Sequence, residues 1–341
     1  MSSTAPLRML FMGSDAIALP TLEFLFEDKS QMKIQAVYTQ PDRARGRGKK
    51  VLPNAVKTWA TEHDISVYQP ELFGEDEIQA LLDLEPDIIL VMAYGHLLPQ
   101  RVLDAPPLGI FNIHTSLLPK LRGASPIETA IATGMSKSGL SLMKLVMKMD
   151  AGPICDQGRI AIDSLETGGS FREKMALAGP VLLRRNLNNM LNGSTESEPQ
   201  NEESVSYCRL LVKQDGQLDF NQPARVLAKR INGLNPWPGC YAQIEDLDLK
   251  VGLADWSASE DSCEPGQIVE CSSKGVGVGT GEGLLKLLTL QKPGGKMLPT
   301  GEFLRGYPMK PGMRFASREM HPLESKIPVS HKRVFQLYTK P

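Results

Sequence analysis

Residues 87–93, DIILVMA, form an unbroken apolar run, too short to span a membrane and too uniform for a one-sided strand. A strand buried on both faces of a parallel sheet carries this kind of run. GIFNIH (109–114) is another such run, and RMLFMG (8–13) and IQAVYT (34–39) precede them. Helical stretches fall between the strands, near 16–28, 54–63 and 75–83. This βαβ rhythm predicts an α/β fold whose N-terminal part is a Rossmann-like, mostly parallel sheet with helices on both faces.

The pattern then changes. In SLMKLVMKMD (141–150), Met143, Leu145, Met147 and Met149 alternate with Lys144 and Lys148, which predicts a half-exposed strand ending at Asp150. Residues 153–162 could return as its partner, and 167–191 read as a long helix. NGSTESEPQNEES (192–204) is polar and acidic and reads as a linker. Beyond it, QIVE, GVGVG and LLKLLTLQ are short apolar runs that predict a small barrel-like β domain. The expected organisation is a catalytic domain over 1–191, a linker over 192–205, a β-barrel domain over 206–313 and a tail over 314–341.

Composition removes several classes. No run of eighteen apolar residues is present, and the N-terminus lacks a secretory pattern, so no membrane association is expected. The five cysteines are scattered, with no C-x-x-C pair, which suits reduced thiols in a cytoplasmic protein. Nothing demands a dimer, and a monomer is expected. The formal net charge is -1, so nucleic-acid binding would need a local patch. The turn after the first strand, FMGSDAIALP, has neither a dinucleotide nor a P-loop fingerprint, and H-E-x-x-H is absent; no metal is expected.

The candidate chemistry lies in FNIHTSLLPKLRGASP (111–126). Asn112 and His114 stand two apart on a strand and so share a face. They sit at its carboxyl end, where open α/β sheets place ligands. Asp150, followed by Ala-Gly-Pro, closes the later strand. An imidazolium and an amide can stabilise a developing oxyanion, and a carboxylate favours the charged imidazole. Taken singly, His114 also fits a hydrogen-bonded strand histidine, and Asn112 a strand-end residue. No nucleophile elbow accompanies them, which suits direct attack by a substrate amine.

The ordered set N-I-H-T-S-L-L-P-K-L-R-G-A-S-P-I with the later M-D-A-G-P resembles the folate-dependent formyltransferase family. The resemblance implies that Asn112, His114 and Asp150 are the catalytic trio and 10-formyltetrahydrofolate the formyl donor. It implies a folate-binding loop at Ser116, Leu117, Leu118 and Pro119, and pterin-pocket contacts from His96, Leu97 and Leu98 in AYGHLLP. His96 alone could equally be a solvated loop histidine. Thr115 and Ser125 stand where many relatives have smaller residues.

The trio does not choose the acceptor. Between 43 and 50 stand Arg43, Arg45, Arg47, Lys49 and Lys50 with no acidic residue, and Gly46 and Gly48 loosen the loop. Such a loop suits phosphate contacts, although a solvated basic loop has the same composition. The string Q-P-D-R followed by G-R-G-K-K is similar to the tRNA-binding insertion of the family branch that formylates methionyl-tRNA. That implies initiator Met-tRNA as partner, with Arg43 important for its recognition. G-Q-L-D-F and L-N-P-W-P-G match the family's C-terminal signatures, which implies an OB-like β-barrel that contacts tRNA. Arg209 and Lys213 are candidate phosphate contacts there. Trp237 is expected as a packing anchor, and the tail as mobile or as extra packing on the barrel. A formyltransferase for a nucleotide-linked amino sugar and a non-catalytic tRNA-binding protein remain as alternatives.

Overall fold

The computed structural model describes residues 6–28, 31–45, 50–258 and 263–330. In chain order the first elements are β1 (Leu7–Met12), α1 (Leu19–Glu27), β2 (Met32–Tyr38), β3 (Arg43–Arg45), β4 (Lys50–Leu52), α2 (Ala55–Glu62), β5 (Ser66–Tyr68), α3 (Glu75–Leu82), β6 (Ile88–Val91), α4 (Gln100–Leu103) and β7 (Ile110–His114). There follow β8 (Arg122–Gly123), α5 (Pro126–Ala132), β9 (Lys137–Lys144), β10 (Ile154–Ala161) and α6 (Gly168–Leu191). The C-terminal elements are β11 (Tyr207–Cys208), α7 (Ala224–Gly233), β12 (Cys240–Ile244), β13 (Leu247–Ser257), β14 (Ile268–Ser272), β15 (Gly275–Gly279), β16 (Leu284–Gln291), β17 (Leu298–Pro299), α8 (Thr300–Gly306), β18 (Phe315–Ala316) and β19 (Glu324–Ser325).

Two compact units result. The first holds the described residues up to Arg122 with Gly139–Ile160 and Arg172–Val205. The second holds Gly123–Ser138, Ala161–Phe171 and the described residues from Ser206. The units therefore interleave along the chain.

The first unit is built on a sheet of order β10-β9-β7-β6-β1-β2-β5. β7, β6, β1, β2 and β5 run parallel, and β9 is antiparallel to β7. All four residues of β6 are buried, which is why its sequence shows no alternation. Ile78 and Leu81 of α3 pack in one cluster with Leu10, Ala36 and Ile89 of the sheet. Gly179 of α6 lies so close to α1 that a Cβ there would meet Thr21 Oγ1 at 2.3 Å. The strand order reverses between β1 and β6, and such a switch point opens a crevice at the carboxyl ends of the strands.

Two local expectations fail in this unit. β9 ends at Lys144; the Leu145 N–H still bonds the Ile110 carbonyl at 2.8 Å, and residues 146–150 turn away instead of extending the strand to Asp150. Met147 and Met149 are exposed, so that end of the alternation reports no buried face, and Val146 between them and Leu145 is exposed as well. Nor is 192–205 a free linker. Glu198 exchanges two backbone hydrogen bonds with Ile154, at 2.8 and 2.9 Å, and lays this segment along the start of β10.

The second unit is an antiparallel sheet curled into a half-barrel, in the order β14-β15-β16-β13-β12-β18 with β17 beside β16. A bridge between Gln267 and Arg314 ties its two ends together. Leu227, Ile231 and Leu234, from α7 and its end, fill the inside with Val251, Ala254, Leu285 and Leu287. The tail packs as far as it is described. β18 pairs with β12, β19 pairs with β11, and Leu323 is buried. Residues 331–341 lie outside the described residues. No helix among the described residues is long and apolar enough to cross a membrane.

Candidate active site

β7 brings Asn112 and His114 to the crevice. β9 runs alongside, with Met143 opposite Asn112 and Ser141 opposite His114. The two side chains are nearly buried, at 8% and 7% exposure. Nε2 of His114 lies 3.0 Å from the carbonyl oxygen of Leu121. A carbonyl only accepts, so Nε2 carries the hydrogen and Nδ1 is left as the ring atom that can take or give a proton. Nδ1 faces Oδ1 of Asp150 at 3.7 Å. At that separation the carboxylate acts on the ring through its charge, and a small movement would make a hydrogen bond.

The Asn112 amide has no hydrogen-bond partner among the described residues. The residue keeps a little accessible surface, so the amide is free to give an N–H to a ligand. Backbone strain collects at the same place. Ala93, Leu121 and Asp150 have φ of 52°, 56° and 49°, the left-handed region that side chains other than glycine avoid. Each such residue stores on the order of 1–3 kcal/mol, held by its surroundings.

The Ser116–Pro119 loop is fixed from the strands beside it. Ser116 Oγ donates to the Lys120 carbonyl at 2.6 Å. Ser141 Oγ donates to the Ser116 carbonyl at 2.7 Å and accepts from the Leu118 N–H at 3.0 Å. Gln157 Nε2 donates to Ser141 Oγ and to the Leu118 carbonyl at 2.8 and 2.9 Å. Leu118 is buried, whereas Leu117 and Pro119 keep accessible surface. In the other segment Leu98 is buried, His96 is partly exposed and Leu97 is 75% exposed. Leu98 and Leu118 can thus shape a pocket only from behind; His96, Leu97, Leu117 and Pro119 have surface to offer a ligand. Burial and the nearby charge of Arg43 lower the His96 pKa.

The basic segment is not a loose loop throughout. Arg43–Arg45 and Lys50–Leu52 pair as a two-stranded antiparallel ribbon. Its base is anchored through Gln40 and Asp42. Arg43 Nη2 donates to Gln40 Oε1 at 3.1 Å, and Gln40 Nε2 donates to the Tyr94 carbonyl at 3.3 Å. Asp42 pairs with Lys57 at 2.7 Å, and this bond holds its carboxyl below the usual range. Arg43 and Lys50 are exposed. Arg47 and Lys49 lie outside the described residues, as does the side chain of Arg45.

Arg209 departs from expectation. It is buried, at 4% exposure. Its guanidinium makes a two-pronged pair with Asp215, Nη1 to Oδ2 at 2.8 Å and Nη2 to Oδ1, and its Nε donates to the Pro322 carbonyl at 3.1 Å. With those donors spent inside the second unit, Arg209 is a structural ion pair rather than a phosphate contact. Lys213 is exposed, with its ammonium 5.7 Å from the centre of the Tyr241 ring. Trp237 is 58% exposed, so it is not the packing anchor its flanking prolines suggest. Among the described residues no group of His, Cys, Asp and Glu could hold a metal ion.

Residues 8–187 match the family described as formyl transferase, and 210–308 match the formyl transferase C-terminal domain. The chain belongs to the formyl transferase family. A methionyl-tRNA formyltransferase from Idiomarina loihiensis is 39% identical over 307 residues, covering 88% of this chain and 96% of that one. Another from Pseudomonas entomophila is 40% identical over 293 residues, covering 86% and 93%. Among solved structures, an N-formyltransferase from Helicobacter canadensis aligns with a TM-score of 0.63 at 17% identity, over 84% of this chain and all of that one. A sugar 3N-formyl transferase aligns at 0.62, also with 17% identity, over 85% and 98%. At that identity the two structures establish the fold alone.

Within this formyl transferase, sequence reasoning missed the residues that hold the site. Ser141 and Gln157 lace the 116–119 loop, and Arg122 and Gln200 lie behind the Asp150 turn. Arg122 carried no distinguishing signal, since Lys120 stands two residues before it in the same motif, yet Arg122 is fully buried.

Proposed function

We propose that the chain transfers the formyl group of 10-formyltetrahydrofolate to the α-amino group of methionine on initiator Met-tRNA. The observation that carries this reading is the arrangement at the end of β7. A nearly buried imidazole has one nitrogen fixed and the other facing a carboxylate, and an unspent amide lies two residues away on the same face. The family membership and the near-full-length likeness to methionyl-tRNA formyltransferases support the donor and the acceptor.

In this reading the methionine nitrogen attacks the formyl carbon. Charge develops on the formyl oxygen, and the bond from that carbon to the folate nitrogen then breaks. Asn112 supplies an N–H to the developing oxyanion, and His114 acts from Nδ1, the nitrogen that faces Asp150. The proton lost by the amine leaves by way of Nδ1 toward the departing nitrogen. Ser116–Pro119, His96, Leu97 and Leu98 form the folate side. Arg43, Arg45, Arg47, Lys49 and Lys50, with Lys213 on the second unit, supply positive charge for tRNA phosphates.

The test is to incubate the protein with 10-formyltetrahydrofolate and charged initiator Met-tRNA and to assay formylmethionine. Competent substrates giving no product would overturn the reading. Product only with a nucleotide-linked amino sugar would move the acceptor to that class.

A further inference from the structure

The polar segment 198–202 is a brace for the catalytic turn. Alternate residues meet the chain from 148 to 154 in reverse order. Glu202 pairs with Lys148 at 3.3 Å, Gln200 bonds the turn at 150–152, and Glu198 bridges to Ile154. Gln200 is the central member and is buried. Its Nε2 donates to the Asp150 carbonyl at 2.8 Å and to the Gly152 carbonyl at 2.7 Å. Its Oε1 accepts from Arg122, from Nε at 3.0 Å and from Nη2 at 2.8 Å. Arg122 also donates to Glu202 at 2.9 Å.

Those bonds join two strained points. Asp150 is itself in the left-handed region, and Leu121, whose carbonyl holds His114 Nε2, directly precedes Arg122 and is left-handed too. One amide group thus grips the backbone that presents Asp150 and, through Arg122, the backbone that orients His114. Both hands of the amide are used in the only orientation its partners allow: carbonyls accept and a guanidinium donates. The Lys148–Glu202 pair is exposed and contributes little; the buried amide carries the coupling.

We propose that Gln200 is a positioning residue for formyl transfer, setting the approach of Asp150 to Nδ1 of His114 from a segment outside the sheet. The inference rests on the reading that Asp150 and His114 act in that reaction. Gln200→Glu is close to isosteric. It keeps an acceptor for Arg122 but sets a carboxylate oxygen against two carbonyls, so the turn must move. A displacement of about 1 Å at a catalytic group is worth roughly 100-fold in rate.

The experiment measures single-turnover rate and KM for both substrates in the full chain carrying Gln200→Glu or Gln200→Ala, alone and combined with Asp150→Ala. The expected result is a rate lowered about 10- to 100-fold with KM for Met-tRNA and folate unchanged, and no further loss from the Gln200 change once Asp150 is gone. A folded variant with the wild-type rate overturns the proposal. So does a loss that persists at full size in the Asp150→Ala background, or failure of both variants to fold, which would make Gln200 a stability residue. An inactive wild-type protein would instead overturn the reading on which the proposal stands.

Discussion

The carbonyl oxygen of Leu121 accepts from Nε2 of His114 at 3.0 Å, and Leu121 holds a φ of 56° to present it. The ring is therefore oriented by backbone, which no side-chain substitution at 121 removes directly. His114→Ala is expected to lower kcat by roughly 10²- to 10⁴-fold, the usual worth of a positioned proton-transfer group. The dissociation constant for Met-tRNA should stay within about twofold, because Nδ1 faces Asp150 and not an RNA surface. Steady-state kinetics beside a filter-binding titration would check this; a parallel loss of affinity would make His114 a binding residue.

Arg43 is exposed at the base of the ribbon and steadied by Gln40. If it meets a phosphate, Arg43→Ala weakens tRNA binding and also removes about one released counterion, lowering the slope of log K against log salt by about 0.7–0.9. The difference between variant and wild type should shrink as salt rises. A variant with lost affinity and an unchanged slope would show that Arg43 acts by shaping the ribbon.

The strands and long helices were legible in the sequence because burial on two faces and helical spacing are local patterns; β6, β7 and α6 fall where those patterns put them. The site's supports were not, because their partners are distant. Gln200 looks like any polar residue of an acidic stretch until Arg122 and the 150–152 turn are brought beside it. The overrun of β9 has a different cause: alternation in Leu145–Met149 gives the period of a strand but says nothing of whether the apolar side is covered, and beyond Leu145 it is not. Arg209 misled because charge alone does not reveal a buried counter-ion six residues on.

The Arg209–Asp215 pair tests that last distinction. Asp215 also accepts from the Val212 N–H at 2.7 Å, and its carbonyl accepts from Arg230 Nε and Nη2 at 3.0 and 2.9 Å. Removing one partner of a buried pair costs about 3–5 kcal/mol because the other charge is stranded. Asp215→Ala should therefore lower the urea midpoint sharply. Arg209→Met removes the two-pronged partner of Asp215 and should do the same, without altering the salt slope of tRNA binding at temperatures where it stays folded. A stable Arg209→Met with a reduced slope would return Arg209 to the RNA surface.

Alkaline stability has an identifiable source. Burial pushes the Cys240 thiol up to about 12 and the Cys155 thiol up to about 11, and it raises the phenols of Tyr38 and Tyr94 as well. An unfolded thiol titrates near roughly 8.5. The folded values lie above the unfolded ones, so the native state binds these protons more tightly. Their contribution to stability is complete below about pH 8.5 and is lost as pH rises toward 11–12. Urea midpoints between pH 8 and 11 should fall in the wild type and fall less in Cys240→Ala. Identical slopes in the two proteins would rule out Cys240 as a source.

Gly152 permits the turn that Gln200 grips. A Cβ at 152 would stand 1.7 Å from the Lys144 carbonyl oxygen, far inside contact, and that obstacle is backbone at the end of β9. Lys144 cannot retreat freely, because its N–H donates to the Pro153 carbonyl at 3.0 Å across the same turn. The strain of Gly152→Ala must therefore move the 150–152 backbone, and Asp150 with it. Rate should fall by about 100-fold for a shift near 1 Å. Gly158, on the adjoining β10, is the control: a Cβ there meets nothing within 4 Å. Gly158→Ala should turn over like the wild type. If Gly152→Ala matched it, the close approach to Lys144 would have been absorbed without reaching Asp150, and the geometry between Asp150 and His114 would not be what sets the rate.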